Sequence, residues 1–312
     1  MIAALAIGAI AGIALPHFLR LERVPPVTAS VIWASALTLR ALATVLAAAW
    51  LVLFFPATDL FELLTGWCWS HLMHVNGHDV GHVTTLVPGI LGLVSVVSLV
   101  VGTLKLTRAL RALVAQSSWD GPAGSVIIGA RDIVLAVAGL RRPRVLVSAG
   151  ALLELGDDEL EAALVHERAH IERRHRYVLV YAELCHALAH VLLGTRRALD
   201  ELAFHLERDA DRWALARRVD RHALAAALTR AARIRFERRA VAMALGGSRV
   251  QERVDEIMSS SPPPRRCASL IGSSLATLLV SLVLGSAAAL PSVLADGAEA
   301  IRDAPYAVDC RD

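Results

Sequence analysis

The segment GDDELEAALVHERAHIERRHR, Gly156 to Arg176, determines which fold and which chemistry the sequence predicts. It is typical of a helix, with Asp157 or Asp158 near the N-terminal cap and acidic residues in the first turn. His166 and His170 are four residues apart, so their imidazoles lie on the same side of that helix. Two imidazoles at this spacing can bind one zinc ion.

Glu167 follows the first histidine directly and is the candidate catalytic residue. A carboxylate at this position lies beside the metal and can act as general base toward water. The five-residue pattern alone is weak evidence, because H-E-x-x-H also arises by chance. In a helix this rich in arginine, the alternative is an ordinary solvated, charged face.

The segment FHLERDADRWAL, Phe204 to Leu215, supplies the third candidate metal ligand. A catalytic zinc keeps three protein ligands and one open position, and Glu207 on a second helix completes such a set. Asp211 stands one turn later and can accept a hydrogen bond from a ligand histidine, which fixes the ring. The alternative for Glu207 is an ion pair with Arg208 or Arg212.

Residues 105–267 around these two segments predict an α+β domain. Short β-branched stretches predict three strands, at Ser125–Gly129, Ile133–Ala138 and Arg144–Ser148. Further helices are expected over Tyr177–Leu193, Arg196–Val219 and residues 222–257. Among the remaining histidines, we expect His175 on the charged surface, and we expect His186 and His190 to be packing residues of an apolar helix.

The composition indicates a membrane protein. Hydrophobic residues make up 55% of the 312 residues and the mean hydropathy is +0.53. Ordinary soluble domains contain about 45–50% apolar residues. The formal charge of +3 is too small to indicate nucleic-acid binding. We predict about four transmembrane helices, at residues 1–19, 30–55, 83–104 and 268–291, the second containing Arg40, which must face protein or extend to the interface.

The distribution of basic residues predicts the orientation. Arginine or lysine follows the first and third spans, whereas the loop 56–82 contains neither and the tail 292–312 is mainly acidic. These patterns predict an outer N-terminus, an extracytoplasmic loop at 56–82, a cytoplasmic domain at 105–267 and an extracytoplasmic tail.

Two further features fall on the predicted outer side. Cys68 and Cys310 share an oxidising compartment, where a disulfide can form, and two unpaired thiols are the alternative. The loop 56–82 is rich in histidine and could bind zinc or copper as an input signal, whereas the alternative is a weakly structured polar loop. Its histidines are His71, His74, His78 and His82.

H-E-R-A-H followed by E-R-D-A-D resembles the gluzincin group of integral-membrane zinc metallopeptidases, and BlaR/MecR-type signalling peptidases most of all. The resemblance implies a mainly α membrane protein with a cytoplasmic zinc domain, and Zn²⁺ held by His166, His170 and Glu207. It implies Glu167 as the base and Asp211 as the carboxylate that supports a ligand histidine. The sequence departs from that type because only about 20 residues follow Pro291 and no penicillin-binding sensor domain with an S-x-x-K serine is present.

Three functions compete at this point. The first is a multi-pass endopeptidase of the bacterial cell membrane that cleaves a cytoplasmic protein, by resemblance a transcriptional repressor, in transmembrane signalling. The second is a housekeeping protease for membrane-protein quality control or processing. The third is a non-catalytic receptor with a structural zinc, which the intact Glu167 argues against. The expected partners are a protein substrate, the lipid bilayer and a second copy of the chain, with no direct nucleic-acid contact.

Overall fold

The computed structural model describes residues 2–53, 119–129, 135–139, 142–238, 243–259 and 269–285, together with residues 100, 104 and 108. The third predicted span lies almost entirely outside these residues. So do the histidine-rich loop with His71, His74, His78 and His82, and the cysteine pair Cys68 and Cys310.

A four-stranded sheet forms one side of the domain. Its strands are β1 (Trp119–Asp120), β2 (Val126–Ile128), β3 (Leu135–Ala138) and β4 (Arg144–Ser148), in the order β1-β2-β4-β3. β2 and β4 are parallel, and the other two pairs are antiparallel. β4 has the predicted bounds, β2 is shorter than predicted, and the described part of the third predicted strand is Leu135–Ala138. β1 was not among the predicted strands.

Within the part of the domain that the structure describes, six helices follow the sheet up to Met258. They are α3 (Ala149–Glu154), α4 (Asp157–Glu172), α5 (His175–Leu188), α6 (Thr195–Ala216), α7 (Arg221–Arg238) and α8 (Met243–Met258). The sheet packs on α4 through a cluster that includes Val145, Val147 and Leu164. The other side of α4 packs against α6, α7 and α8, so α4 and α6 are held side by side.

The predicted helix over residues 156–176 is two helices. α4 begins after Gly156, whose N–H donates to the Glu159 carboxylate at 3.1 Å. α4 ends at Glu172, and Arg174 adopts a left-handed conformation with φ 58°. This residue turns the chain, so His175 begins α5 rather than continuing α4.

Among the residues that the structure describes, three apolar helices lie outside the sheet domain: α1 (Ile2–Ala14), α2 (Pro26–Leu53) and α9 (Ser269–Gly285). Within the described residues, α2 alone is long and apolar enough to cross a membrane, over Pro26–Ala47. α2 begins before the predicted residue 30, because proline is favoured in the first turn of a helix. The described parts of the predicted spans 1–19 and 268–291 are shorter apolar helices, Ile7–His17 and Ser269–Gly285.

α2 also packs directly against the domain that contains the predicted zinc site. Its residues Ile32, Trp33 and Leu37 share one buried cluster with Ala182 of α5 and Leu202 of α6. Arg40 is 1% exposed and donates to the carbonyls of Ala36 and Ile13, so it faces protein as expected. The sheet domain and the N-terminal helices therefore share a hydrophobic core.

Candidate metal centre

α4 presents both histidines of the H-E-x-x-H segment toward α6. His166 and His170 are one helical turn apart, and their Nε2 atoms are 3.2 Å from each other. Apolar packing sets this orientation, because Leu164 faces the sheet cluster and Ala162 faces the cluster with α6 and α7. The imidazoles are left on the side of α4 between these two contacts.

α6 brings Glu207 to the same point. Its Oε2 lies 3.4 Å from His166 Nε2, and its Oε1 lies 3.4 Å from His170 Nε2. One donor atom from each of the three residues lies within 4.8 Å of the other two. Two imidazole nitrogens and one carboxylate are the donor set of catalytic zinc sites that keep an open position. The residues present therefore fit a zinc ion.

Asp211 supports the ring of His166. Its Oδ1 lies 2.9 Å from His166 Nδ1, so a proton on Nδ1 points to Asp211 and Nε2 faces Glu207. Burial lowers the pKa of His166, but hydrogen bonds to Asp211 and Glu207 outweigh burial and raise that pKa to about 10. The proton on His166 Nε2, between this atom and Glu207, lies where a metal ion would bind. Metal binding therefore releases this proton.

His170 is oriented by a second chain of contacts that was not predicted. Its Nδ1 lies 3.1 Å from Nδ1 of His175, and His175 Nε2 lies 3.0 Å from Asp209. Arg173 donates two hydrogen bonds to the same carboxylate, at 2.8 and 3.0 Å. When His175 donates its Nε2–H to Asp209, its Nδ1 can accept a hydrogen bond from the Nδ1–H of His170. The Nε2 atom of His170 is then free to bind a metal. Burial lowers the pKa of His170 to about 4, so the neutral form of the His170 ring is favoured.

The expectation that His175 lies on the charged surface was wrong. His175 is 3% exposed, because the turn at Arg174 directs it inward at the start of α5. His190 is exposed rather than packed, and His186 is half-buried.

Arg253 of α8 supplies the positive charge of the site. It donates to both oxygens of Asp211, at 2.8 and 2.9 Å, and its Nη1 lies 2.9 Å from Glu207 Oε2. Burial would raise the pKa of Glu207, but His166 and Arg253 hold it well below its usual range. Glu207 is therefore ionised, as a metal ligand must be.

The alternative partners considered for Glu207 bind elsewhere. Arg208 and Arg212 both donate to Glu256 of α8. Glu207 is left facing the histidines and Arg253.

Glu167 lies between the two histidines in sequence and is half-buried. Burial lowers the pKa of Arg253, but the charges of Asp211 and Glu207, and to a smaller extent that of Glu167, raise it above its usual range. Glu167 therefore lies close enough to Arg253 for the two charges to attract each other.

β4 is an inner strand of the described sheet. β4, Arg144–Ser148, pairs with β2 on one side and β3 on the other, so it cannot accept an added strand. β3 is one of the two edge strands of the described sheet, opposite β1, and it is the edge strand that packs against α4. Any peptide that extends the sheet beside α4 must therefore pair with β3.

These features together define a zinc metallopeptidase: a mainly helical fold in which an H-E-x-x-H helix and a glutamate helix converge on one point. A family model, Peptidase family M48, matches residues 102–270, more than half of the chain. The chain belongs to peptidase family M48. No curated protein and no solved structure matches it.

The membership confirms three predictions: the protein is an enzyme, a metallopeptidase of the hydrolase class, and it depends on zinc. The BlaR/MecR type within the wider group stays a prediction. Three site residues were missed from the sequence: His175, Asp209 and Arg253. The ERDAD segment contained a signal for Asp209, two residues after Glu207, whereas nothing local indicated that Arg253 would reach the site.

Proposed function

We propose that the protein is a membrane zinc endopeptidase of the BlaR/MecR type that cleaves a cytoplasmic protein, in particular a transcriptional repressor, in response to an envelope signal. One observation carries the proposal. His166, His170 and Glu207 converge within 4.8 Å, and each histidine has a hydrogen-bonding partner that directs Nε2 toward Glu207. A purely structural zinc site usually has four protein ligands, which this constellation does not supply.

The residues take the following roles. His166, His170 and Glu207 hold the metal, and Asp211 fixes the His166 ring. When bound, zinc supplies Lewis-acid polarisation of the scissile carbonyl and lowers the pKa of water. Glu167 accepts the proton from the attacking water and returns it to the leaving amine nitrogen. Arg253 keeps Glu207 and Asp211 ionised.

The substrate binds in an extended conformation along β3. This strand is an edge of the described sheet, and its partner β4 covers its other side. Backbone hydrogen bonds to an edge strand bind many sequences, and side-chain pockets then select among them. A peptide on β3 would run beside α4 and present a carbonyl to the metal.

The proposed topology has four spans, with the M48 domain in the cytoplasm. The loop 56–82 and the tail 292–312 are extracytoplasmic, where Cys68 and Cys310 could form a disulfide and the four loop histidines could bind a metal. The signalling role is supported by a contact between α6, which carries Glu207, and the segment that joins α1 and α2. Arg208, next to Glu207, donates to the carbonyl of Glu22 between α1 and α2 at 2.7 Å.

The second candidate function is quality control or processing of membrane proteins. The same Arg208–Glu22 contact supports it, because a site beside the end of a membrane helix can reach the ends of other membrane proteins. A non-catalytic receptor is the third candidate, and this function would not require the carboxylate of Glu167.

The variant Glu167→Gln separates these candidates. It removes the base and keeps the size of the side chain, so we expect peptidase activity to fall about 10²–10⁴-fold with zinc content unchanged. The matched control is Glu161→Gln, which changes an exposed residue of the same helix.

Proteomes of cells with the wild type, Glu167→Gln and Glu161→Gln identify the substrate. One stabilised DNA-binding protein in Glu167→Gln cells supports signalling, and a broad set of stabilised membrane proteins supports quality control. A Glu167→Gln strain identical to wild type would contradict both enzymatic roles.

A further inference from the structure

The helical hairpin formed by α5 and α6 packs along the length of α2. Tyr181 of α5 forms a 2.7 Å hydrogen bond with Thr38 of α2. A Cβ placed on Gly194, just before α6, would lie 3.7 Å from Nη2 of Arg40. Further along α6, Arg208 donates to the carbonyl of Glu22, which lies before α2. α6 is therefore antiparallel to α2, and the hairpin tip is level with Arg40.

This register gives the depth of the tip along α2. Arg40 lies 14 residues after Pro26, which is about 21 Å along a helix. α2 has 28 residues, a length of about 42 Å against a hydrocarbon layer of about 30 Å. If all of the excess length of α2 lies at its Pro26 end, Arg40 is still about 9 Å inside that layer.

The tip has an apolar surface. Leu193 is 97% exposed and Val191 is 65% exposed. The exposed side of α5 continues this surface with Tyr177, Val180 and Tyr181. Tyrosine is enriched where a membrane protein crosses the boundary between water and lipid.

Three carbonyl groups at the tip and just before it accept hydrogen bonds from side chains of the same segment. The Thr195 hydroxyl lies 3.0 Å from the carbonyl oxygen of Ala189 and 2.8 Å from that of Leu192. His190 Nδ1 lies 2.9 Å from the carbonyl of Ala187. Lipid cannot supply hydrogen bonds, so backbone inside a bilayer must be satisfied within the protein. A loop in water would not need these internal partners.

The charged residues of the hairpin limit how deep it lies. Arg196 and Asp200 form an exposed ion pair of 3.2 Å on α6. A long arginine side chain can reach from the edge of the hydrocarbon layer to the headgroups. The pair therefore agrees with insertion near the boundary and not at the bilayer centre.

We propose that the tip Ala189–Gly194 is a membrane-inserted element of the peptidase domain, and that its partner is the acyl-chain region of the bilayer. The proposal rests on the proposed membrane location of α2. It has a consequence for the substrate, because insertion anchors the helix that carries Glu207. The scissile bond must then come to the membrane surface, as it does in a segment next to a membrane anchor.

The test uses the full chain, zinc-loaded, in phosphatidylcholine and phosphatidylglycerol vesicles. Single cysteines at Leu193, Val45 and Leu153 carry an NBD fluorophore, and doxyl-labelled lipid is the quencher. Cys68, Cys267 and Cys310 are changed to serine, and the buried Cys185 is kept. Leu153 is the matched control, since it is a leucine of α3 with 86% exposure. Zinc content measured on each variant verifies that it is folded.

We expect the labels at Leu193 and Val45 to lose most of their emission to the quencher and the label at Leu153 to keep it. Quenching at Val45 without quenching at Leu193 would overturn the inserted hairpin and leave the span of α2 intact. Absence of quenching at both positions would overturn the membrane location and the hairpin together. Equal quenching at Leu153 would also overturn the hairpin, because the signal would not be specific to it.

Discussion

The two halves of α6 differ in what holds them in place. The first half packs through Ala198, Leu199 and Leu202 into the apolar cluster with α2 and α5. The second half presents Glu207 and Asp211 to charged and imidazole groups of α4 and α8. The difference shows that one helix can separate the requirements of stability from those of metal binding.

The physical reason lies in the directionality of the two interactions. Apolar burial depends on area and tolerates small shifts, so it suits a contact that only has to hold α6 against α2. Hydrogen-bonded ion pairs depend on direction and on the position of each atom. The pairs of Arg253 with Glu207 and Asp211 therefore position the site while α2 supports the helix.

The largest effect that would test this comparison is expected at Leu202, which is completely buried. Leu202→Ala leaves a cavity between α6 and α2, so the free energy of unfolding should fall by about 2–5 kcal/mol. Denaturant titration in detergent micelles measures it, with Leu153→Ala as the exposed control. Zinc stoichiometry of the folded variant should stay unchanged, and a loss of zinc would show that the two halves are coupled.

The next effect is expected at Asp211. Asp211→Asn keeps the shape but weakens the contacts with His166 and Arg253, so zinc affinity should fall about 10–100-fold. Competition with a chelator of known affinity measures this change. Asp200→Asn is the control on an exposed part of the same helix. Equal zinc affinities in the two variants would show that Asp211 does not support the metal site.

The smallest effect is expected at an ion pair outside both halves of α6. Arg230 of α7 lies 3.0 Å from Glu159 of α4, and its side chain is 54% exposed. Arg230→Gln should change the free energy of unfolding by about 0–1 kcal/mol, because water and salt screen an exposed pair. Denaturant titration at low and high salt measures it. A cost as large as that of Leu202→Ala would mean that charge, and not burial, dominates stability here.

Much of the site could be predicted because its pattern is local. His166, His170 and Glu167 occupy one helical turn, and Glu207 and Asp211 occupy another, so helical spacing alone places each set on one side. The bounds of β4 were predictable for the same reason, since a β-branched run followed by Ser148 and a helix is a local signal.

The missing part depends on contacts that are distant in sequence or on one backbone angle. Arg253 reaches Asp211 across 42 residues, and no spacing rule connects them. His175 was assigned to the surface because helical spacing was continued through Arg174, where the left-handed conformation ends it. The membrane prediction treated residues 105–267 as separate from α2, whereas the structure buries α2 against α5 and α6.

The sequence by itself determined the chemistry: a zinc metallopeptidase with an H-E-x-x-H helix and a glutamate helix, in a chain with long apolar segments. Residue type and helical spacing are enough for that, because ligand identity and the turn of a helix are local properties. Only the tertiary structure decided which groups orient the two imidazoles and that the glutamate helix lies along α2. Those facts follow from the packing of helices that are far apart in the chain, and local sequence does not specify such packing.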